Sequence, residues 1–183
     1  MTILRIDSSI NGGNSASRAL TDSIVEQLKA SNWGEQLVTR DLVANPLPHL
    51  TLEAFADTSV LDEFLAADIV VIGAPMYNFT VPTQLKAWID RIAIAGKTFQ
   101  YGPNGPEGLV KGKRVIIALA KGGFYGEGAP AAALEHLETY LKGVFKFIGV
   151  EPEFVLAEGL GVSPEHRDAS LKQALDEVIL LAA

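Results

Sequence analysis

Runs of aliphatic, β-branched residues alternate along this chain with stretches whose apolar positions fall three and four apart. The first pattern predicts strands and the second amphipathic helices. Ile69-Val70-Val71-Ile72 has no polar position at all, which predicts a strand buried on both faces. It stops at Gly73-Ala74-Pro75 and runs directly into Met76-Tyr77-Asn78-Phe79. Upstream, Ile3 to Asp7 reads as a first strand and Leu37 to Leu42 as a less apolar, edge strand. Downstream, Arg114 to Ala120 and Glu153 to Ala157 complete a set of five.

A helix is expected after each strand. Ala16, Leu20, Ile24 and Leu28 share one face of a helix that begins near Ser15. A short helix is expected from Thr58 to Ala67, with Leu61, Phe64 and Leu65 facing inward. Pro82 suits a first helical turn, Leu85, Trp88, Ile89 and Ile92 form an apolar face, and Gly96 suits its end. Residues 97–113 read as a long loop. A helix from Pro130 to Ile148, with His136 on its surface, and another starting at Ser163-Pro164-Glu165 follow. Strands that alternate with helices pair in parallel through right-handed crossovers. The expected fold is a three-layer α/β sandwich: one domain, 1–183, a five-stranded parallel sheet in the order 2-1-3-4-5, helices on both faces. A crevice then opens between the carboxyl ends of strands 1 and 3, bordered by Ser8–Ser17 and Ala74–Thr80.

Ser8, Ser9, Asn11, Asn14, Ser15 and Ser17 give the first loop hydroxyls and amides ahead of a helix N-terminus, and Gly12 and Gly13 permit close backbone approach. That chemistry suits an anion such as a phosphate monoester. The plainer reading is a helix cap with spare serines. Neither GxGxxG nor GxxxxGK[ST] is present. In the second loop Asn78 offers both donor and acceptor atoms and Tyr77 and Phe79 offer walls, which suits the edge of a flat heteroaromatic ring. Met76 and Phe79 alone would equally plug the top of a core. Gly122-Gly123 allows close approach to a flat ligand, or is a plain turn. Lys121 either lends positive charge to that site or is a solvated lysine.

Composition removes several function classes. The 183 residues contain no Cys, which excludes disulfides, thiolate catalysis and thiolate zinc sites. A net charge of −7 argues against a nucleic-acid partner. The apolar runs are shorter than the ~20 residues of a membrane helix, and the first residues lack a signal-peptide pattern, so a soluble cytoplasmic protein is expected. His49, His136 and His166 are scattered without triad or metal-ligand spacing, so no catalytic side chain and no metal ligand is assigned. Asp62-Glu63 and Asp176-Glu177 read as solvated helix faces.

Several motifs together resemble the FMN-dependent NAD(P)H azoreductase and quinone reductase family. They are Ser8-Ser9-Ile10 with Ser15-Ala16-Ser17, Ala74-Pro75-Met76-Tyr77-Asn78-Phe79, Gln84-Leu85-Lys86, Thr98-Phe99-Gln100-Tyr101, Asn104-Gly105-Pro106-Glu107-Gly108-Leu109, Lys121-Gly122-Gly123, Phe147-Ile148-Gly149 and Ala157-Glu158-Gly159. The resemblance implies a flavodoxin-like fold. It implies bound FMN, NADH or NADPH as donor, and quinones and aromatic azo compounds as acceptors in a ping-pong cycle. By the same resemblance, Ser9, Ser15, Ala16 and Ser17 would hold the phosphate. Met76, Tyr77, Asn78, Phe79, Ala120, Lys121, Gly122 and Gly123 would contact the rest of the flavin. It implies a homodimer with sites at the interface, where Phe99, Tyr101, Tyr125 and Phe147 would line the substrate pocket. Ala120 stands where the family commonly has a hydroxyl and Lys121 where it commonly has Arg, and the segment between Pro48 and Asp68 is short. The alternative is a flavodoxin-type FMN electron carrier with no small-molecule substrate of its own.

Overall fold

Central strands that are apolar on both sides must be covered on both sides, and the chain meets this with two helical layers. The structure, a computed structural model, describes residues 1–34 and 36–181. In chain order the elements are β1 (Thr2–Asp7), α1 (Ala16–Ala30), β2 (Gln36–Asp41), α2 (Ser59–Ala66), β3 (Ile69–Pro75), α3 (Thr83–Ile92), β4 (Phe99–Gly102), β5 (Gly105–Gly108), β6 (Arg114–Ala120), α4 (Leu137–Ile148), β7 (Glu153–Ala157) and α5 (Pro164–Leu181). The main sheet is parallel throughout, in the order β2-β1-β3-β6-β7.

β3 is buried at every position, as a strand without polar residues must be. Its alternate side chains feed two cores. Val70 and Ile72, with Leu4 and Ile6 from β1, pack with Phe64, Trp88, Leu141 and Phe145 from α2, α3 and α4. Ile69 and Val71, with Ile3 and Ile116, pack with Leu20, Ile24 and Leu28 of α1 and Ala174 and Val178 of α5. Ser8 Oγ donates to the Gly73 carbonyl at 2.7 Å and locks the ends of β1 and β3 together. Gly73 lets α1 press against this seam. A Cβ there would lie 3.2 Å from Asp7 Oδ1 and 3.2 Å from Thr21 Cγ2.

The structure corrects the sequence expectations in four places. Residues 97–113 are not merely a loop: β4 and β5 form an antiparallel hairpin there, outside the main sheet, so the five strands expected in the order 2-1-3-4-5 keep their places and are numbered 2-1-3-6-7. The hairpin carries too few apolar residues to signal itself and is held by packing. Gly108 lies so close to the end of α4 that a Cβ would fall 2.1 Å from the Gly149 nitrogen. The helix expected from Pro130 starts only at Leu137, after a 3-10 turn at Ala132–Leu134. Glu135 sets that start by accepting from the N–H groups of Glu138 (2.9 Å) and Thr139 (3.1 Å), which satisfies donors the helix leaves free. His136 therefore precedes the helix rather than lying within it. Leu65, expected inward, is exposed.

Among the described residues no helix is long and apolar enough to cross a membrane.

Candidate functional site

The carboxyl ends of β1, β3 and β6 border a cleft of about 210 Å³. Its lining includes Ser9, Ser15 and Ala16 from the first loop, Met76 and Tyr77 after β3, and Ala120 and Gly122 after β6. All seven were expected at one site, and the fold brings them together.

The hydroxyl end is built on the start of α1. Ser15 caps the helix, its Oγ accepting from the Arg18 N–H at 3.2 Å. Ser17 Oγ lies 3.1 Å from Ser15 Oγ, and both residues are buried. The Ala16 and Ser17 N–H groups precede the helix's own hydrogen-bond ladder and so remain available to an acceptor. Behind the loop, Arg18 clamps it from the far side. Its Nε and Nη2 donate to the Ser9 carbonyl at 3.2 and 3.0 Å, and Nη1 and Nη2 grip Asp41 at 2.7 and 2.9 Å. The Arg18 hydrogen bond, reinforced by the Val43 and Ala44 N–H groups, holds the Asp41 carboxyl well below the usual carboxylate range. Arg18 is thereby committed to the scaffold.

The other end is a tight turn. Tyr77 and Thr80 exchange backbone hydrogen bonds at 3.0 and 3.2 Å, leaving Asn78 and Phe79 as the two residues of the loop. Both have left-handed backbones, φ 47° and 75°, as a type I′ turn requires. Asn tolerates that region, whereas Phe there costs energy that the surroundings must meet. The Phe79 carbonyl accepts from the His136 N–H at 3.1 Å, pinning the turn to the approach to α4. Asn78 and Phe79 are exposed at the tip. The Phe79 ring meets the Tyr125 ring edge-on at 6.3 Å between centroids.

Tyr77 joins the two ends. Its hydroxyl is 3.3 Å from Ser9 Oγ and accepts from the Ile10 N–H at 3.1 Å. The third side is backbone. The Met76 N–H donates to the Ala120 carbonyl at 2.8 Å, and Leu160 and Gly161 donate to the carbonyls of Lys121 and Gly122 at 3.2 and 2.8 Å. A Cβ built on Gly122 meets no atom within 4 Å, so the backbone here borders open space at the cleft.

Lys121 departs from expectation. Its side chain is only 2 % exposed and its Nζ lies 3.2 Å from Glu135 and 3.1 Å from Glu138. The charge is neutralised by the two carboxylates beneath the loop, which leaves the backbone of this residue as the part beside the cleft. Burial pulls the Glu135 carboxyl upward, but the Glu138 and Thr139 N–H groups and Lys121 outweigh it and hold it below its ordinary value. Ala120 presents a methyl where a hydroxyl would offer a hydrogen bond.

The four expected substrate-pocket aromatics separate into two places. Tyr125 packs edge-on against Phe79 at the tip of the turn after β3. Phe99, Tyr101 and Phe147 form a cluster of their own, with centroids 5.6 Å apart for Phe99–Tyr101 and 4.5 Å for Phe99–Phe147. This cluster sits by the C-terminal ends of α3 and α4. In parallel crossovers those ends lie at the amino edge of the sheet, opposite the cleft. Tyr101 is 75 % exposed there. Leu160, Gly161 and Arg167, which no sequence motif singled out, also line the cleft. They come from the turn after β7 and the start of α5, and no spacing along the chain links them to the other loops. Among the described residues no group of three or more His, Asp and Glu is placed to hold a metal ion.

Comparison with known proteins agrees with this geometry. The family described as having a flavodoxin-like fold matches residues 1–180. FMN-dependent NADH:quinone oxidoreductase 2 of Bradyrhizobium diazoefficiens is 51% identical, with 100% of both chains covered. That alignment spans 201 positions, against 183 residues in this chain, so the relative carries residues this chain lacks. The FMN-dependent NADH:quinone oxidoreductase of Methylorubrum extorquens is 49% identical, again over 100% of both. Among solved structures, an azoreductase from Bacillus anthracis superposes with a TM-score of 0.91 at 29% identity, covering 100% of this chain and 98% of that one. An FMN-dependent NADH-azoreductase from the same species, in complex with FMN, gives 0.84 at 25% identity, covering 100% and 99%. The chain belongs to the FMN-dependent NADH:quinone oxidoreductase family, built on the flavodoxin-like fold.

Proposed function

We propose that the chain is an FMN-dependent oxidoreductase. It takes two electrons from NADH and delivers them to quinones and to the azo bond of aromatic azo compounds, one substrate leaving before the next enters. The observation that carries this reading is the Tyr77 bridge. It makes a hydroxyl-lined helix start and a polar-aromatic turn into one continuous site, matching a ligand with a phosphate at one end and a flat ring at the other.

The residues present fit FMN. Ser9, Ser15 and Ser17 with the first N–H groups of α1 would hold the phosphate. Met76 to Phe79 and the backbone from Ala120 to Gly123 would hold the flavin ring, the open space beside Gly122 giving its edge room. Bound FMN supplies the two-electron chemistry, and the protein supplies binding, orientation and exclusion of water. Phe79 and Tyr125 shield the cleft mouth and offer stacking surface to flat donors and acceptors. No acid–base dyad is required of the protein for such a reaction.

The reading extends to a cytoplasmic, single-domain protein that acts as a homodimer. The Phe99–Tyr101–Phe147 cluster faces away from its own cleft with Tyr101 exposed, which supports its walling the cleft of a second copy. Steady-state kinetics with NADH and a naphthoquinone test the function. Parallel double-reciprocal lines are expected, and intersecting lines would contradict the alternating use of one slot. Sedimentation of the active protein as a monomer would rule out the shared site.

A further inference from the structure

Arg167 is the one charged side chain lining the cleft among the described residues. Its Nη2 donates to the Asn14 carbonyl at 2.6 Å, which places the guanidinium beside the loop that leads into α1. It forms no ion pair with any described residue. It also stands in the first turn of α5, its N–H donating to the Ser163 carbonyl at 3.0 Å. A cation there opposes the helix dipole, so helix stability does not account for it.

The hydroxyl end of the cleft has a matching deficit. Residues 8–17 contain no Lys or Arg, and Arg18 is held by Asp41 and the Ser9 carbonyl. Lys121, the cation nearest in sequence to the flavin-facing loops, is neutralised by Glu135 and Glu138. A phosphate monoester carries close to two negative charges at neutral pH, and it must bind to a chain whose net charge is −7. The hydroxyls and the first N–H groups of α1 can solvate such an anion, but they carry no formal charge to pair with it. A guanidinium with several free N–H donors, anchored through one nitrogen, is suited to phosphate.

We propose that Arg167 pairs with the phosphate of FMN and makes the site select the phosphorylated flavin over riboflavin. The proposal rests on the FMN reading above and assigns to α5 a part in cofactor choice. The ring contacts of Met76–Phe79 and Gly122 are shared by both flavins, so the discrimination falls on Arg167 together with the serines.

Flavin fluorescence titrations of the apoprotein test it, using FMN and riboflavin with the wild type, Arg167→Gln and Arg167→Lys. Arg167→Gln should weaken FMN binding about tenfold or more, as for loss of a hydrogen-bonded ionic partner, and leave riboflavin binding unchanged. The salt dependence of FMN binding should flatten in the same variant, and Arg167→Lys should recover part of the loss. Equal weakening of both flavins would show that Arg167 only tethers α5 to the first loop, and unchanged FMN affinity would show that it does not touch the phosphate. Either result overturns the proposal while leaving the FMN site intact. A wild-type protein that binds neither flavin would instead overturn the functional reading itself.

Discussion

The Tyr77 hydroxyl lies 3.3 Å from Ser9 Oγ and takes the Ile10 N–H at 3.1 Å, so one side chain sets the spacing between the loop after β1 and the turn after β3. Tyr77→Phe removes that link and little else. FMN affinity should fall several-fold, on the order of 1 kcal/mol for one hydrogen bond, while the melting temperature of the apoprotein stays nearly constant. Calorimetry on the apoprotein beside a flavin titration separates the two effects. A large drop in melting temperature would mean that the bridge holds the fold rather than the site.

Asn78 and Phe79 make a turn that requires left-handed backbone at both positions. Asn78→Gly keeps that geometry and deletes the carboxamide. If Asn78 hydrogen-bonds the flavin, affinity should drop by ~1–3 kcal/mol with no loss of stability. Asn78→Ala is a poorer probe, because a Cβ residue without a polar side chain disfavours the same backbone. FMN affinity equal to wild type in Asn78→Gly would remove Asn78 from the site.

The legible part of this protein is what periodicity and turn chemistry encode locally. Ile69–Ile72 has no polar position and reads as a doubly covered strand, and Ser15 before Ala16 suits the cap of a helix. The parallel order of the sheet then followed from alternation. What was not legible depends on contacts far apart in sequence. The hairpin Phe99–Gly108 exists because Gly108 can lie on Gly149. Lys121 turns from the cleft because two carboxylates at 135 and 138 wait beneath it. Arg167 reaches the cleft from a helix whose own pattern says nothing about a site 150 residues earlier in the chain, at Asn14. Tyr101, expected at a pocket shared between two copies, lies at the other end of its own sheet from its own cleft, a separation that the order of residues along the chain does not reveal.

Two glycines distinguish packing from binding. Gly108→Ala would drive a methyl into the backbone of Gly149, so the hairpin must shift and stability should fall by about 1–3 kcal/mol or more. A Cβ at Gly122 meets open space in the fold, so Gly122→Val should leave thermal stability nearly unchanged while FMN affinity falls more than roughly tenfold as the side chain intrudes on the ring's place. Chemical unfolding and flavin titration of both variants check this. A Gly122→Val protein that binds FMN normally would place the ring elsewhere.

Acid should loosen the first loop before the core fails. Asp41 is depressed below its unfolded value of about 3.9 by Arg18, so its contribution to stability is present above that pH and is lost as pH falls through the lower folded value. Asp41→Asn removes the titrating group. The stability gap between wild type and Asp41→Asn, measured by urea unfolding, should be constant from pH 5 to 7 and shrink below about pH 4. A gap that widens on acidification would contradict the sign of this linkage.

The central claim is that the cleft holds a flavin through which NADH and a quinone react in turn. Anaerobic stopped-flow absorbance of the FMN-loaded protein tests it most directly. NADH should bleach the flavin band completely in a single mixing experiment, and a second mixing with a naphthoquinone should restore it fully, at rates that account for steady-state turnover. A bound flavin that NADH leaves oxidised, or a reduced one that the quinone leaves bleached, would contradict the account.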